Sequence, residues 1–120
     1  MLKNSLFVGI GAAVGVLARY GCMHVIEASI VLWVVNGMGS LLMGILNAYF
    51  EKKANAQLKL LLTTGFLGSF TTFSAFSADW LQHFQQSPIV SAAYAFSMTL
   101  CCIAVAAIGY AAFKKVGNVK

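Results

Sequence analysis

The sequence has 120 residues, of which 60% are hydrophobic and 9% charged, and its formal net charge is +5. A soluble domain of this size needs a polar surface that such a composition cannot supply, and four spans of ~20 residues with short loops use up the whole chain. The positive charge does not mark a nucleic-acid surface, because the lysines sit at the ends of apolar runs, where they flank membrane segments.

The first apolar run follows Lys3 and continues to about Ile26. A positive charge before a short apolar core is also the signature of a signal peptide, but this run is longer and no A-x-A cleavage site follows. It is read as a first helix over 4–26. Gly11 and Gly15 give that helix a GxxxG face suited to close helix contact. Arg19 lies on the same face towards the helix end. It either snorkels to the interface or presents positive charge to an anion vestibule.

The second helix is expected over 30–50, ending at Glu51-Lys52-Lys53. Asn36 lies near its middle, with Ser40 and Gly44 following on the same face. Its amide offers two N–H donors. Inside a membrane such a group is either an interhelical hydrogen bond, worth ~1 kcal/mol, or a functional residue.

The third span is expected over 58–84 and is interrupted in pattern. Thr63-Thr64-Gly65 and Gly68-Ser69, followed at once by Thr71-Thr72, put glycines and hydroxyls at mid-bilayer depth. Backbone leaves a helix at that depth only where protein or a water-filled cavity satisfies its polar groups, and channels and transporters place ion sites at such breaks. A continuous helix whose glycines allow close packing is the other reading. Beyond this point Phe73 and Phe76 share a helix face at i,i+3, with Ser74 and Ser77 as a track of hydroxyls beside them. Asp79 follows as an interfacial helix-end residue or a member of the pathway.

The fourth helix is expected over 88–113, with Ser87 as its cap, Pro88 in its first turn and Lys114-Lys115 at its close. Cys22, Cys101 and Cys102 all lie in apolar stretches without CxxC or Cys/His spacing, and read as small packing residues. With four spans, Lys3, Lys52, Lys53, Lys59, Lys114, Lys115 and Lys120 fall on one side, against Glu27 and Arg19 towards the other. The positive-inside rule then puts both termini in the cytoplasm.

Three segments carry a resemblance. They are Gly11-Ala12-Ala13-Val14-Gly15-Val16-Leu17-Ala18-Arg19-Tyr20, Val35-Asn36-Gly37-Met38-Gly39-Ser40, and Gly65-Phe66-Leu67-Gly68-Ser69-Phe70-Thr71-Thr72-Phe73-Ser74-Ala75-Phe76-Ser77. In order, spacing and total length the chain resembles the Fluc/CrcB family of fluoride channels across nearly its entire length.

The resemblance implies an all-α integral membrane protein of four transmembrane helices, the third interrupted near its middle, assembled as an antiparallel dimer with two fluoride pores. By matching position it assigns Asn36, Phe73 and Phe76 to the pore, Thr72 and Ser74 to nearby polar positions, and Tyr94 to a pore tyrosine of the fourth helix. It implies that backbone carbonyls of Gly68 and Thr71 from both subunits hold a structural sodium ion where the third helices cross. It also implies passive fluoride export across the bacterial cytoplasmic membrane, which lowers fluoride toxicity. Two departures stand out. Ala75 occupies a position where the family usually has threonine, and the one-sided lysines favour a fixed orientation. The partner is therefore either an identical chain or a related subunit of opposite charge bias.

Two rival functions are weaker. A small proton-coupled multidrug exporter needs a membrane-embedded carboxylate, yet the first helix has none before Glu27, and Glu51 and Asp79 lie near helix ends. A non-transporting assembly subunit would account for the small-residue faces but not for Asn36 together with the hydroxyl and phenylalanine cluster. With no nucleophile–base pair or metal-ligand constellation in the sequence, no enzyme is proposed.

Overall fold

The computed structural model describes residues 1–116; Lys120 lies outside them. Every regular element among the described residues is helical: α1 (Leu2–Val25), α2 (Val31–Lys52), α3 (Ala56–Lys59), a wider π-helical stretch (Leu60–Leu67), α4 (Gly68–Phe70), α5 (Phe73–Gln86) and α6 (Pro88–Val116). Four segments are long and apolar enough to cross a membrane, namely Leu2–Val25, Val31–Lys52, Ala56–Gln86 and Pro88–Val116. Each lies within a few residues of the expected range, extended where polar flanks continue the helix.

The ends have local causes. Asn55 accepts the Leu58 N–H on its side chain at 3.0 Å and so caps α3. Ser87 does the same for α6 through Val90 at 3.5 Å, and Pro88 occupies the first helical position, where its missing N–H costs nothing.

Glycines decide how the spans pack. A Cβ on Gly11 would collide with the Leu61 carbonyl oxygen, and one on Gly15 with that of Phe66. A Cβ on Gly65 would lie 2.7 Å from the Val8 carbonyl oxygen. The first and third spans thus run side by side in the same direction with their backbones nearly touching, as small-residue faces permit in lipid. The second and fourth spans meet in the same way. Gly44 leaves no room for a side chain against the Ala106 carbonyl, and a Cβ on Gly109 would lie 2.5 Å from the Leu41 carbonyl oxygen.

At the end of that second seam the Glu51 carboxylate accepts the Tyr110 hydroxyl at 2.7 Å, while Lys114 Nζ donates to Tyr110 Oη at 2.7 Å. Lys114 also pairs with Glu51 at 3.3 Å. This cluster joins α2 to α6 on the lysine-rich side of the molecule. Farther up, α5 runs antiparallel to α6, with Ser91, fully buried, donating to the Trp80 carbonyl at 3.3 Å.

The core is small. Val31, Leu32, Val35, Phe70 and Met98 form its buried cluster, with Cys22, Ala75, Phe76, Tyr94 and Cys102 packed against it. All three cysteines are free thiols. Outward, Leu6, Ile10, Leu17, Phe96, Leu100 and Ile103 stand exposed, a surface suited to hydrocarbon rather than water.

Candidate functional site

The site is built around two residues of extended backbone. Thr71 (φ −74°, ψ 156°) and Thr72 (φ −140°, ψ 117°) lie between α4 and α5. Neither φ is positive, nor is that of any glycine among the described residues. The glycines flagged in the sequence stay helical: Gly68 has φ −61° and ψ −26°, and Gly65 is spent on close approach to α1. The backbone leaves the helix just beyond them, at the threonines.

Hydrogen bonds explain how that conformation is held. In an unbroken α-helix the Thr72 N–H would donate to the Gly68 carbonyl, and the Ala75 N–H to that of Thr71. Instead, Thr72 N–H donates to Asn36 Oδ1 at 3.0 Å, and Ala75 N–H to Thr72 Oγ1 at 3.1 Å, capping α5. Both carbonyls therefore lose their ordinary helical donors. Arg19 reaches Thr71 from α1, its Nη1 lying 3.5 Å from the carbonyl oxygen. Thr71 Oγ1 donates back to Leu67 at 2.9 Å, and Thr72 Oγ1 lies 3.2 Å from Ser74 Oγ.

Asn36 meets the extended segment edge to edge. An extended residue presents its N–H and C=O on the same side, which matches the O=C–N–H edge of an amide. Asn36 Oδ1 takes the Thr72 N–H, while Nδ2 lies 3.5 Å from the Thr72 carbonyl oxygen and 3.8 Å from Met98 Sδ. Its interhelical partner is thus largely backbone.

The aromatic residues continue from this point. Phe73 and Phe76 have ring centroids 5.8 Å apart with planes at 38°. Phe76 stacks on Tyr94 at 5.6 Å, and Trp33 meets Tyr94 edge-on at 6.0 Å. The His83 ring lies 4.9 Å from Tyr94, and His83 faces Asp79 at 3.9 Å one turn along the same helix. The Tyr94 hydroxyl is buried without a hydrogen-bond partner among the described residues.

Phe73 and Phe76 separate two hollows. On one side an open cavity of about 370 Å³ is bordered by Asn36, Ser40, Thr71 and Thr72, and by Met98, Thr99 and Cys102 of α6. On the other, a hollow of about 470 Å³ extends past Ser77 to Trp80 and Leu81. Phe73 is 78% exposed in the single chain.

The structure brings Asn36, Thr72, Phe73 and Phe76 together, with Ser74 and Tyr94 one contact away. It does not bring Arg19 to this cavity, since Arg19 approaches from the α1 side of Thr71. Ser77 is not a free hydroxyl, because its Oγ donates to the Phe73 carbonyl at 2.9 Å. Ala75 packs against the apolar cluster rather than bordering the cavity. Met98, Thr99 and Cys102 are additions. A signal for two of them was present, because Tyr94, Met98 and Cys102 recur every four residues along one helix face.

No group of three or more His, Cys, Asp or Glu comes together to hold a metal among the described residues. A hard cation prefers oxygen ligands, and the Gly68 and Thr71 carbonyls, released from helical bonding, are of that kind. Gly68 is exposed in the single chain.

Comparison with known proteins bears on the family of the chain as a whole. The profile of the family described as CrcB-like protein, Camphor Resistance (CrcB), matches residues 6–110. The chain is 34% identical over 121 residues to the fluoride-specific ion channel FluC 2 of Bacillus licheniformis, covering 98% of this chain and 92% of the relative. It is 34% identical over 115 residues to the fluoride-specific ion channel FluC of Pasteurella multocida, covering 89% and 90%. A Methylobacterium relative named fluoride-specific ion channel FluC is 35% identical over 125 residues, covering 97% and 100%. The chain belongs to the CrcB-like protein family.

Proposed function

We propose that this protein is a subunit of a fluoride-selective channel that lets fluoride leave the cytoplasm passively across the bacterial inner membrane. The observation that carries the reading is Phe73 and Phe76 standing between two hollows beside Asn36, in a chain whose relatives are named fluoride-specific channels.

Fluoride is small, hard and strongly hydrated, so a pore must replace its water with many weakly positive contacts. Ring edges carry the positive part of the aromatic quadrupole. Phe76 has one face covered by Tyr94, which leaves its edge as the surface offered to an anion. The Asn36 amide and the Thr72 and Ser74 hydroxyls supply conventional donors. A lysine in the path would hold the ion too well, since conduction requires binding weak enough to leave. Fluoride inside the cell then leaves down the membrane potential without energy coupling.

The exposed Phe73 and Gly68 support a second subunit packed across this face, giving an antiparallel dimer with two pores. Gly68 and Thr71 would hold a sodium ion through their carbonyls where the two chains cross. Such a cation, when bound, would offset the charge of passing anions. The lysines gathered on one side favour a related subunit of opposite bias as the partner over an identical chain.

The test is fluoride efflux from liposomes containing this protein, with chloride efflux as control. Fast fluoride efflux with negligible chloride is the expected result, from this chain alone or with its oppositely oriented partner. No flux from well-folded protein in either combination would overturn the channel reading.

A further inference from the structure

We infer that Met98 is a positioning residue for ion passage: its sulfur is a stand-in acceptor that occupies the outer Asn36 N–H while no ion is present. The inference rests on the channel reading above.

Asn36 has its carbonyl oxygen committed to the Thr72 N–H at 3.0 Å. That bond fixes which way the amide faces, so Nδ2 must lie towards the Thr72 carbonyl oxygen at 3.5 Å and Met98 Sδ at 3.8 Å. Nδ2 thus has two acceptors within reach, a backbone carbonyl oxygen and the Met98 sulfur, and an amide nitrogen carries two hydrogens to share between them.

A thioether is a weak acceptor. Met98 is 3% exposed and belongs to the buried apolar cluster, so its sulfur is held in place rather than free to swing. Asn36 and Met98 both border the 370 Å³ cavity. An anion arriving there can take the N–H from sulfur, and the sulfur can reclaim it when the anion leaves.

This arrangement has an energetic consequence. A buried N–H with no acceptor would bind an arriving anion strongly, because the empty state carries the full cost of the unmet donor. An oxygen acceptor would compete too well. Sulfur lies between these limits, the range that conduction needs.

The experiment measures fluoride flux against fluoride concentration for the wild type, Met98→Leu and Met98→Gln. It also follows the Asn36 side-chain amide resonances by NMR in detergent. Leucine keeps the volume and removes the acceptor. It is expected to lower the half-saturating fluoride concentration by about two- to fivefold, the scale of one weak hydrogen bond, and to lower the maximal rate with it. Glutamine supplies an oxygen and is expected to raise the half-saturating concentration, which decides the matter should the leucine variant fail to fold. Both variants should shift the Asn36 amide signals. Unchanged flux constants beside a conducting wild type, or unmoved Asn36 signals, would overturn this inference and leave the channel reading intact. A wild-type protein that passes no fluoride, either alone or with an oppositely oriented partner, would overturn both.

Discussion

Phe76 stacks on Tyr94, with ring centroids 5.6 Å apart and planes inclined by only 19°. The tyrosine thus fixes the orientation of the phenylalanine, and its own hydroxyl is buried without a hydrogen-bond partner among the described residues. Replacing Phe76 by isoleucine removes both the ring edge and the stack. Fluoride flux is expected to fall by about tenfold or more, the factor that corresponds to ~1.4 kcal/mol. Stacking accounts for a stability loss of about 0.5–1.5 kcal/mol. Phe73→Ile should lower flux as strongly with little effect on the stability of the single chain, because Phe73 is 78% exposed there. Efflux and thermal unfolding measured on both variants separate the two effects. Normal flux in both would refute the ring-edge argument.

Asn36→Ala leaves the Thr72 N–H without its acceptor. An unmet buried donor costs about 1–3 kcal/mol, and the extended segment loses the contact that holds it open. The variant should be less stable and conduct less, both visible in one preparation by thermal unfolding and liposome efflux. Wild-type values for both would mean that Asn36 neither holds the segment nor serves the ion.

Ala75→Thr tests the departure from the family pattern. Because Ala75 packs against the cluster of Val31, Leu32 and Val35, an added hydroxyl would meet apolar side chains instead of the ion path. Flux should stay within about twofold of wild type, with a modest loss of stability from overpacking. A several-fold rise in fluoride flux would move Ala75 into the pathway.

The four spans were legible because lipid demands long apolar runs and the lysines punctuate them. The Phe73–Phe76 face was legible from i,i+3 spacing. The position at which the backbone leaves the helix was not. Gly65 and Gly68 suggest a break there, but glycine serves close approach as well as bending, and here Gly65 faces Val8 and Gly11. The extended residues are Thr71 and Thr72, whose φ values any residue adopts. The partner of Asn36 was equally hidden, because it is a peptide group 36 positions away that leaves no side-chain trace. Met98 shares a helix face with Tyr94 and Cys102 in the sequence, but nothing there places its sulfur beside Asn36 Nδ2.

Gly44→Ala should disrupt the seam between the second and fourth spans, since a Cβ there collides with the Ala106 carbonyl. Backbone cannot swing aside as a side chain can, so overpacking of about 1–3 kcal/mol is expected. Gly37 has nothing within 4 Å of its would-be Cβ, which makes Gly37→Ala the control. Size-exclusion profiles and melting temperatures should separate the pair, and equal behaviour would remove the case for glycine-mediated packing.

Lys52, Lys53, Lys59, Lys114 and Lys115 lie towards the same end of the molecule as Lys3, and Glu51 pairs with Lys114 there. A basic excess near the span ends is expected to keep that end in the cytoplasm, so terminal reporters on this chain should show one orientation in the membrane rather than two. An antiparallel dimer would then need a related subunit inserted the other way, and this chain expressed alone should give little fluoride flux until such a subunit is added. Exchanging Lys52 and Lys53 for serine, with two lysines introduced beside Glu27, should produce a mixed orientation and raise flux from the single chain. A wild-type preparation that inserts both ways and conducts fully by itself would show that the lysines do not set the pairing.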